Sequence, residues 1–157
     1  MKIKMIVVSK TDIPYLQTGI DEYVSRIKHY CDFELVVIPS IKNAGHFSTD
    51  DLKEREGESI IKQLAKTDYV ILLDEHGHEY TSVGFAEQIQ KQMNAGVRTI
   101  AYVVGGAFGF SPSVYAIANA KMSLSQMTFN HQMVRLFFVE QLYRAFTILR
   151  HEKYHNA

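Results

Sequence analysis

The chain has 157 residues, 46% of them hydrophobic and 22% charged, with 17 basic and 17 acidic side chains and no net charge. That suffices for one domain spanning 1–157 with a proper core, and gives no bulk electrostatic case for nucleic acid. The lone Cys31 excludes an internal disulfide or a cysteine-based zinc site and fits the cytoplasm; the first apolar run is too short for a signal-peptide core, and none is long enough to span a membrane.

Ile3 to Val8 reads as a buried strand. Asp12 and Pro14 open a helix with Leu16, Ile20, Tyr23, Val24 and Ile27 on one face, the 3.6-residue period of an amphipathic helix. Phe33–Ile38 is a second strand ended by Pro39, and the loop Ser40–Ser48 is expected to be mobile. Thr49 and Asp50 begin a helix running to about Lys66, with Gly57 inside it. A mid-helix glycine costs about 1 kcal/mol relative to alanine.

Asp68–Asp74 is the third strand, and Glu75-His76-Gly77-His78-Glu79 reads as a turn. The next helix starts at Thr81-Ser82 and stops at Gly96. A β-branched run then ends in Val104-Gly105-Gly106-Ala107-Phe108-Gly109, followed by Ser111-Pro112 and a short helix to about Asn119. Lys121–Ser125 alternates like a fifth strand, and a long helix from about His131 to Arg150 closes the chain. Strands alternating with helices imply an α/β fold: an open parallel sheet with helices on both faces.

Ser caps orphan helix N–H groups and Pro is pre-set for a first turn, so Gly105-Gly106-x-x-Gly109 is a glycine loop between a buried strand and a helix. Ligands bind at that edge of an open parallel sheet, where glycine backbone permits close approach. A tight turn without a ligand is equally consistent with this loop alone. The pattern is not the dinucleotide fingerprint, which follows the first strand as Gly-x-Gly-x-x-Gly with an acid further on. His76-x-His78, flanked by Glu75 and Glu79, lies in a polar turn whose side chains more often face water than metal, and no metal is expected. Cys31 reads as a small buried hydrophobe.

Residues 1–120 carry 12 basic and 15 acidic side chains, whereas 121–157 carry 5 and 2. A positive C-terminal end is permissive for a phosphate-bearing partner. The last helix is apolar around most of its circumference, with Glu140, Arg144 and Thr147 as its polar strip. Such a helix needs cover on two sides, which its own sheet and a second subunit would supply. Glu140 and Arg144, at i,i+4, could simply pair.

Val104-Gly105-Gly106 with Gly109, Leu124-Ser125-Gln126-Met127-Thr128-Phe129-Asn130-His131, Glu140-Gln141-Leu142-Tyr143-Arg144-Ala145 and Tyr154-His155 together resemble the ribosomal RNA large subunit methyltransferase H family, of SPOUT type. Gln17-Thr18-Gly19, Glu22-Tyr23, Glu56-Gly57-Glu58 and Leu73-Asp74 with Gly77 are lesser matches. The resemblance implies a homodimer with a C-terminal trefoil knot holding S-adenosylmethionine. It further implies methyl transfer to N3 of a pseudouridine in 23S rRNA of assembled ribosomes.

Cofactor contacts then map onto Leu73, Gly105, Gly106, Ser125, Gln126, Met127, Thr128, Phe129 and Asn130. Where the family often has proline, this chain has Asn130, and Asn156-Ala157 follow Tyr154-His155 in place of a basic ending. For the chemistry implied, Arg144 can supply fixed positive charge, His131 or His155 can take a proton, and Tyr154 can stack or hydrogen-bond. A non-catalytic nucleotide- or RNA-binding α/β dimer and a small flavodoxin-like protein are the competing classes.

Overall fold

In the computed structural model, which describes residues 1–156, the strands are β1 (Lys2–Val8), β2 (Asp32–Ile38), β3 (Tyr69–Glu79), β4 (Thr99–Val104) and β5 (Ala120–Ser123). The helices are α1 (Pro14–Ile27), α2 (Thr49–Gln63), α3 (Ser82–Asn94), α4 (Pro112–Ile117) and α5 (Met133–Leu149). The strands form one sheet in the order β2-β1-β4-β3-β5, and every pairing is parallel. Ala157, the last residue of the expected 1–157 domain, lies outside the described residues.

The period-2 geometry of a strand divides each central strand between two cores. Ile3, Met5 and Val7 of β1 and Ile100, Tyr102 and Val104 of β4 face a layer built from α1, α3 and α5. Ile6, Val8, Ala101 and Val103 face the smaller layer of α2 and α4. Helices on both faces are what the near-continuous apolar runs of β1 and β4 require. The loop expected at Ser40–Ser48 contains a single 3-10 turn at Ala44–His46. Cys31 is half-buried against the main core, and desolvation pushes its thiol up to about 11.

Helix α5 runs between α1 and α3, so its own chain covers more of it than a sheet alone would. Gly19 of α1 is the point of closest approach: a Cβ there would stand 2.9 Å from Leu136 Cδ1. At its start, Arg135 is 1% exposed and donates to Val8 O at 2.6 Å, Ser9 O at 2.8 Å and Thr11 Oγ1 at 3.0 Å. Gln132 Oε1 accepts the N–H groups of Asp12 (2.9 Å) and Ile13 (3.4 Å), just before α1. The helix begins at Met133 rather than His131, and just before it Asn130 Oδ1 accepts from the N–H groups of Gln132 (2.8 Å) and Met133 (3.4 Å) in the turn that leads into the helix.

The largest departure from the sequence reading is at residues 75–79. The expected turn is instead the second half of β3, which pairs with β5 twice: Ile71–Leu73 against Ala120–Met122, then His78–Glu79 against Met122–Ser123. Between these pairings Asp74–Gly77 bulge out of register. Such a bulge places two backbones in contact, and Gly77 meets it: a Cβ there would lie 2.6 Å from Lys121 C and Met122 N and 2.7 Å from Met122 C. Polar character and glycine mimicked a turn.

Because backbone cannot swing aside as a side-chain tip does, Gly77→Ala is expected to cost about 1–3 kcal/mol. Gly45→Ala, whose Cβ would meet nothing within 4 Å, is the matched control and should be near neutral. Urea midpoints at one fixed protein concentration check both.

Candidate functional site

The bulge of β3 and the C-terminal ends of β4 and β5 open into a cleft of about 470 Å³. Leu73, Val104, Met122 and Leu124 supply its apolar surface, and Gly105 and Gly106 contribute backbone. The glycines are packed closely from behind: a Cβ on Gly105 would press on the Phe110 ring at 3.2 Å, and one on Gly106 would push aside the Glu56 carboxylate, whose Oε1 lies at 2.8 Å. Gly109 has φ of +86° and closes the loop through its N–H to Gly106 O at 3.1 Å. Ser111 then caps α4, receiving the Val114 N–H at 3.4 Å. Gly57 of α2 seats against it, since a Cβ would stand 2.5 Å from Ser111 Oγ. That packing accounts for a glycine inside a helix.

The segment after β5 forms another wall. Ser123 Oγ donates to Ser125 O at 2.7 Å, and Ser125 Oγ accepts the Met127 N–H at 2.9 Å, which curls the chain locally. Thr128 Oγ1 donates to Glu75 Oε2 at 3.1 Å, tying this segment to the β3 bulge. Of the residues singled out from sequence, Leu73, Gly105, Gly106, Ser125, Met127, Thr128, Phe129 and His131 all line the cleft. Gln126 and Asn130 belong to the same segment but are not in the lining, and the Asn130 amide oxygen instead accepts the Gln132 N–H just before α5.

Arg144, Tyr154 and His155 gather elsewhere, against α1. Arg144 donates to Glu140 Oε1 through Nη2 at 2.5 Å and Nε at 3.2 Å, and through Nη1 to His155 Nδ1 at 3.1 Å. The Tyr154 hydroxyl donates to Glu140 Oε1 at 3.0 Å and lies 3.0 Å from the Tyr23 hydroxyl. The Arg144 guanidinium also sits over the Tyr154 ring, 4.7 Å from its centroid. Burial, reinforced by the bonds to Tyr23 and Glu140, holds the Tyr154 phenol well above its usual range. The hydrogen bond to Glu140 is the main reason that Arg144 is held more firmly protonated than a free guanidinium. Glu140 in turn lines a smaller cleft of about 280 Å³, which shares Met122, Ser123, Leu124 and Phe129 with the main one.

The family described as "Predicted SPOUT methyltransferase" matches residues 1–155. The chain belongs to the SPOUT methyltransferase family. Among its relatives, the ribosomal RNA large subunit methyltransferase H of Flavobacterium johnsoniae is 55% identical over 156 residues, covering 99% of each chain. The protein of the same name from Parabacteroides distasonis is 51% identical over 156 residues, with 99% of each covered. A solved structure of a probable methylase family protein from Haemophilus influenzae is similar in fold, with a TM-score of 0.59 at 13% identity over 99% of this chain and 70% of the other.

In this SPOUT methyltransferase the cleft also holds groups that the sequence did not single out as site residues. Asp74, Glu75 and His76 enter it because the β3 bulge turns them there. Desolvation alone would raise the Asp74 carboxyl, but hydrogen bonds from the Tyr115 hydroxyl and the His76 N–H, with Lys121 nearby, outweigh it and hold it below the usual carboxylate range. Tyr115 is pushed up to about 12 by burial and by Asp74. Glu75 and His76 read as turn in the sequence and Asp74 as the end of the strand; the bulge, with Gly77 against the β5 backbone, places all three at the cleft.

Glu56 is the group behind the glycine loop. It is half-buried, and desolvation raises its carboxyl pKa. A carboxyl raised in the folded state binds its proton more tightly there than in the unfolded chain, so folding is favoured at acid pH and that contribution fades as pH rises through the raised value. At neutral pH the charged form is a cost. Glu56→Gln is therefore expected to raise Tm at pH 7, with the gain over the wild type shrinking as pH falls through the raised value toward the ordinary glutamate range and levelling off below it. Paired melting curves across pH check the sign.

Proposed function

We propose that this chain transfers a methyl group from S-adenosylmethionine to N3 of a pseudouridine in 23S rRNA of assembled ribosomes, acting as a cytoplasmic homodimer with a trefoil-knotted C-terminal part. The observation that carries the reading is the cleft itself, at the sheet edge where open α/β folds bind ligands, in a chain of a methyltransferase family. The family name borne by the two relatives supplies the substrate class.

The cleft fits the cofactor on its own terms. Its volume is in the usual range for small-molecule sites, and it joins apolar walls to a few convergent polar groups, as an adenosine with an amino-acid tail requires. Leu73, Val104 and Leu124 would bury the apolar part, while Gly105, Gly106 and the Ser125–Phe129 segment would meet the rest with backbone. Gln126 and Asn130 would act by shaping that segment. When bound, S-adenosylmethionine supplies an electrophilic methyl group.

N3 of the base carries a proton that it must shed as it takes up the methyl. His131 is exposed in the cleft lining and is the side chain we assign to accept it. His155 is less suited, because its Nδ1 is already engaged by Arg144. Arg144 and Tyr154 stand outside the cleft of their own chain, so in this reading they act on substrate across the dimer, Arg144 stabilising the anionic base. Exposed Phe137 on α5, paired with Phe129 at 5.0 Å between ring centroids, supplies apolar surface for the subunit contact.

The deciding experiment incubates methyl-labelled cofactor with unmethylated ribosomes and maps the labelled base. Label at a pseudouridine N3 is expected, with none in a naked stem-loop, since a chain of zero net charge cannot rely on many phosphate contacts. Light scattering at low micromolar concentration should give twice the chain mass.

Arg144→Ala should lower the single-turnover rate by a factor on the order of hundreds to a thousand, about 3–4 kcal/mol, and leave cofactor affinity nearly intact. Wild-type turnover in a folded Arg144→Ala dimer would reduce the Glu140 pair to a structural one.

A further inference from the structure

The glycine loop carries an exposed aromatic ring. Phe108 lines the cleft and is 55% exposed. Among the described residues it is the one exposed phenylalanine with no aromatic partner: Phe137, the other exposed one, pairs with Phe129. From the second wall Met127, 76% exposed, also reaches the cleft. Leaving two large apolar side chains in water at the mouth of a ligand site is unfavourable unless something covers them.

Their setting narrows what that is. Phe108 is flanked by Gly106 and Ala107 on one side and by Gly109 on the other, and a Cβ at Gly109 would meet nothing within 4 Å. The ring thus stands on a thin stretch of chain with open space beside it. The cleft is also lined by Leu73, Val104 and Leu124 and by the rings of Phe110, Tyr115 and Phe129, but Phe110 is buried and packs on Tyr115, and Phe129 packs on Phe137, whereas Phe108 has no such ring partner. A base presented for methylation within folded RNA has to leave its own stack, and it then needs a flat apolar surface to replace the neighbours it lost.

We propose that Phe108 is the stacking platform for the target base, with Met127 as the adaptable apolar contact of the second loop. The inference rests on the methyltransferase reading above and adds the residue that receives the substrate base. Phe108 positions the base against the cofactor site and takes no part in proton transfer. Its ring contributes through its face, so any pyrimidine or purine would gain, and sequence discrimination must come from other groups.

The test uses the full-length protein, unmethylated ribosomes and S-adenosylmethionine. Phe108→Ala and Phe108→Leu are expected to raise KM for ribosomes roughly ten- to a hundredfold, the loss of one base–aromatic stack. Phe108→Tyr should stay close to wild type, because it keeps the ring. Cofactor affinity by calorimetry should move less than twofold in all three, and mass by light scattering not at all. A leucine variant as good as tyrosine overturns the inference, as does a cofactor affinity that falls in step with KM or a change in mass. An active wild type with an unchanged Phe108→Ala overturns this inference alone, whereas a wild type inert on ribosomes overturns the functional reading and this inference with it.

Discussion

A buried guanidinium holds the site end of the molecule together. Arg135 is the largest of the fully buried side chains, and its contacts are neutral oxygens: the carbonyls of Val8 and Ser9 and the Thr11 hydroxyl. Burial therefore lowers its pKa, with Asp12 opposing. Nε is left without a partner. The arrangement costs desolvation of a cation. In return it ties the C-terminal end of the interior strand β1 to the first turn of α5, where its bond to the Ser9 carbonyl meets left-handed backbone with φ of +69°. The chain from Ser125 to Gln132 must then span from the end of β5 to a fixed point, which is how a loop becomes a cleft wall.

The other walls obey the same logic, in which absence of a side chain brings backbone together. Gly77 lets the β3 bulge rest on Lys121 and Met122, Gly57 lets α2 reach Ser111, and Gly106 makes room for Glu56 behind the loop. These contacts press the ends of β3, β4 and β5 into one place, and the cleft is the space they leave. Function here is housed in loops whose shape is dictated by packing beneath them.

Periodicity made the sheet and its two helical layers legible, because β1 and β4 are apolar on both faces and α1, α3 and α5 repeat at helical spacing. Most of the cleft was legible too, through the glycine loop and the Ser125–His131 motif. The β3 extension was not: His76-Gly77-His78 has the composition of a turn, and only tertiary pairing with β5 makes it a strand. Local composition likewise hid the role of Arg135, which in sequence is one more cation on a helix. The apolar circumference of α5 was read as demanding a second subunit, yet α1 and α3 flank it within the chain. The Asn130 amide oxygen accepts the N–H groups of Gln132 and Met133, contacts that a proline ring at that position could not make.

The division of charge follows from the same architecture. Glu140 accepts from Arg144 and Tyr154 and lines the smaller cleft, so the Arg144 cation is paired within its own helix. Such a guanidinium cannot serve as a long-range lure for phosphate, since the pair presents a dipole whose field falls off faster than that of a single charge. It can still act at contact distance, where its orientation is set by Glu140, by His155 and by the Tyr154 ring beneath it. An overall neutral chain with its key cation paired in this way must find its partner by the fit of a shaped surface. In the proposed reaction the exposed ring of Phe108 and the paired cation of Arg144 would divide the work, the one offering affinity for an uncharged base and the other charge held in a fixed place.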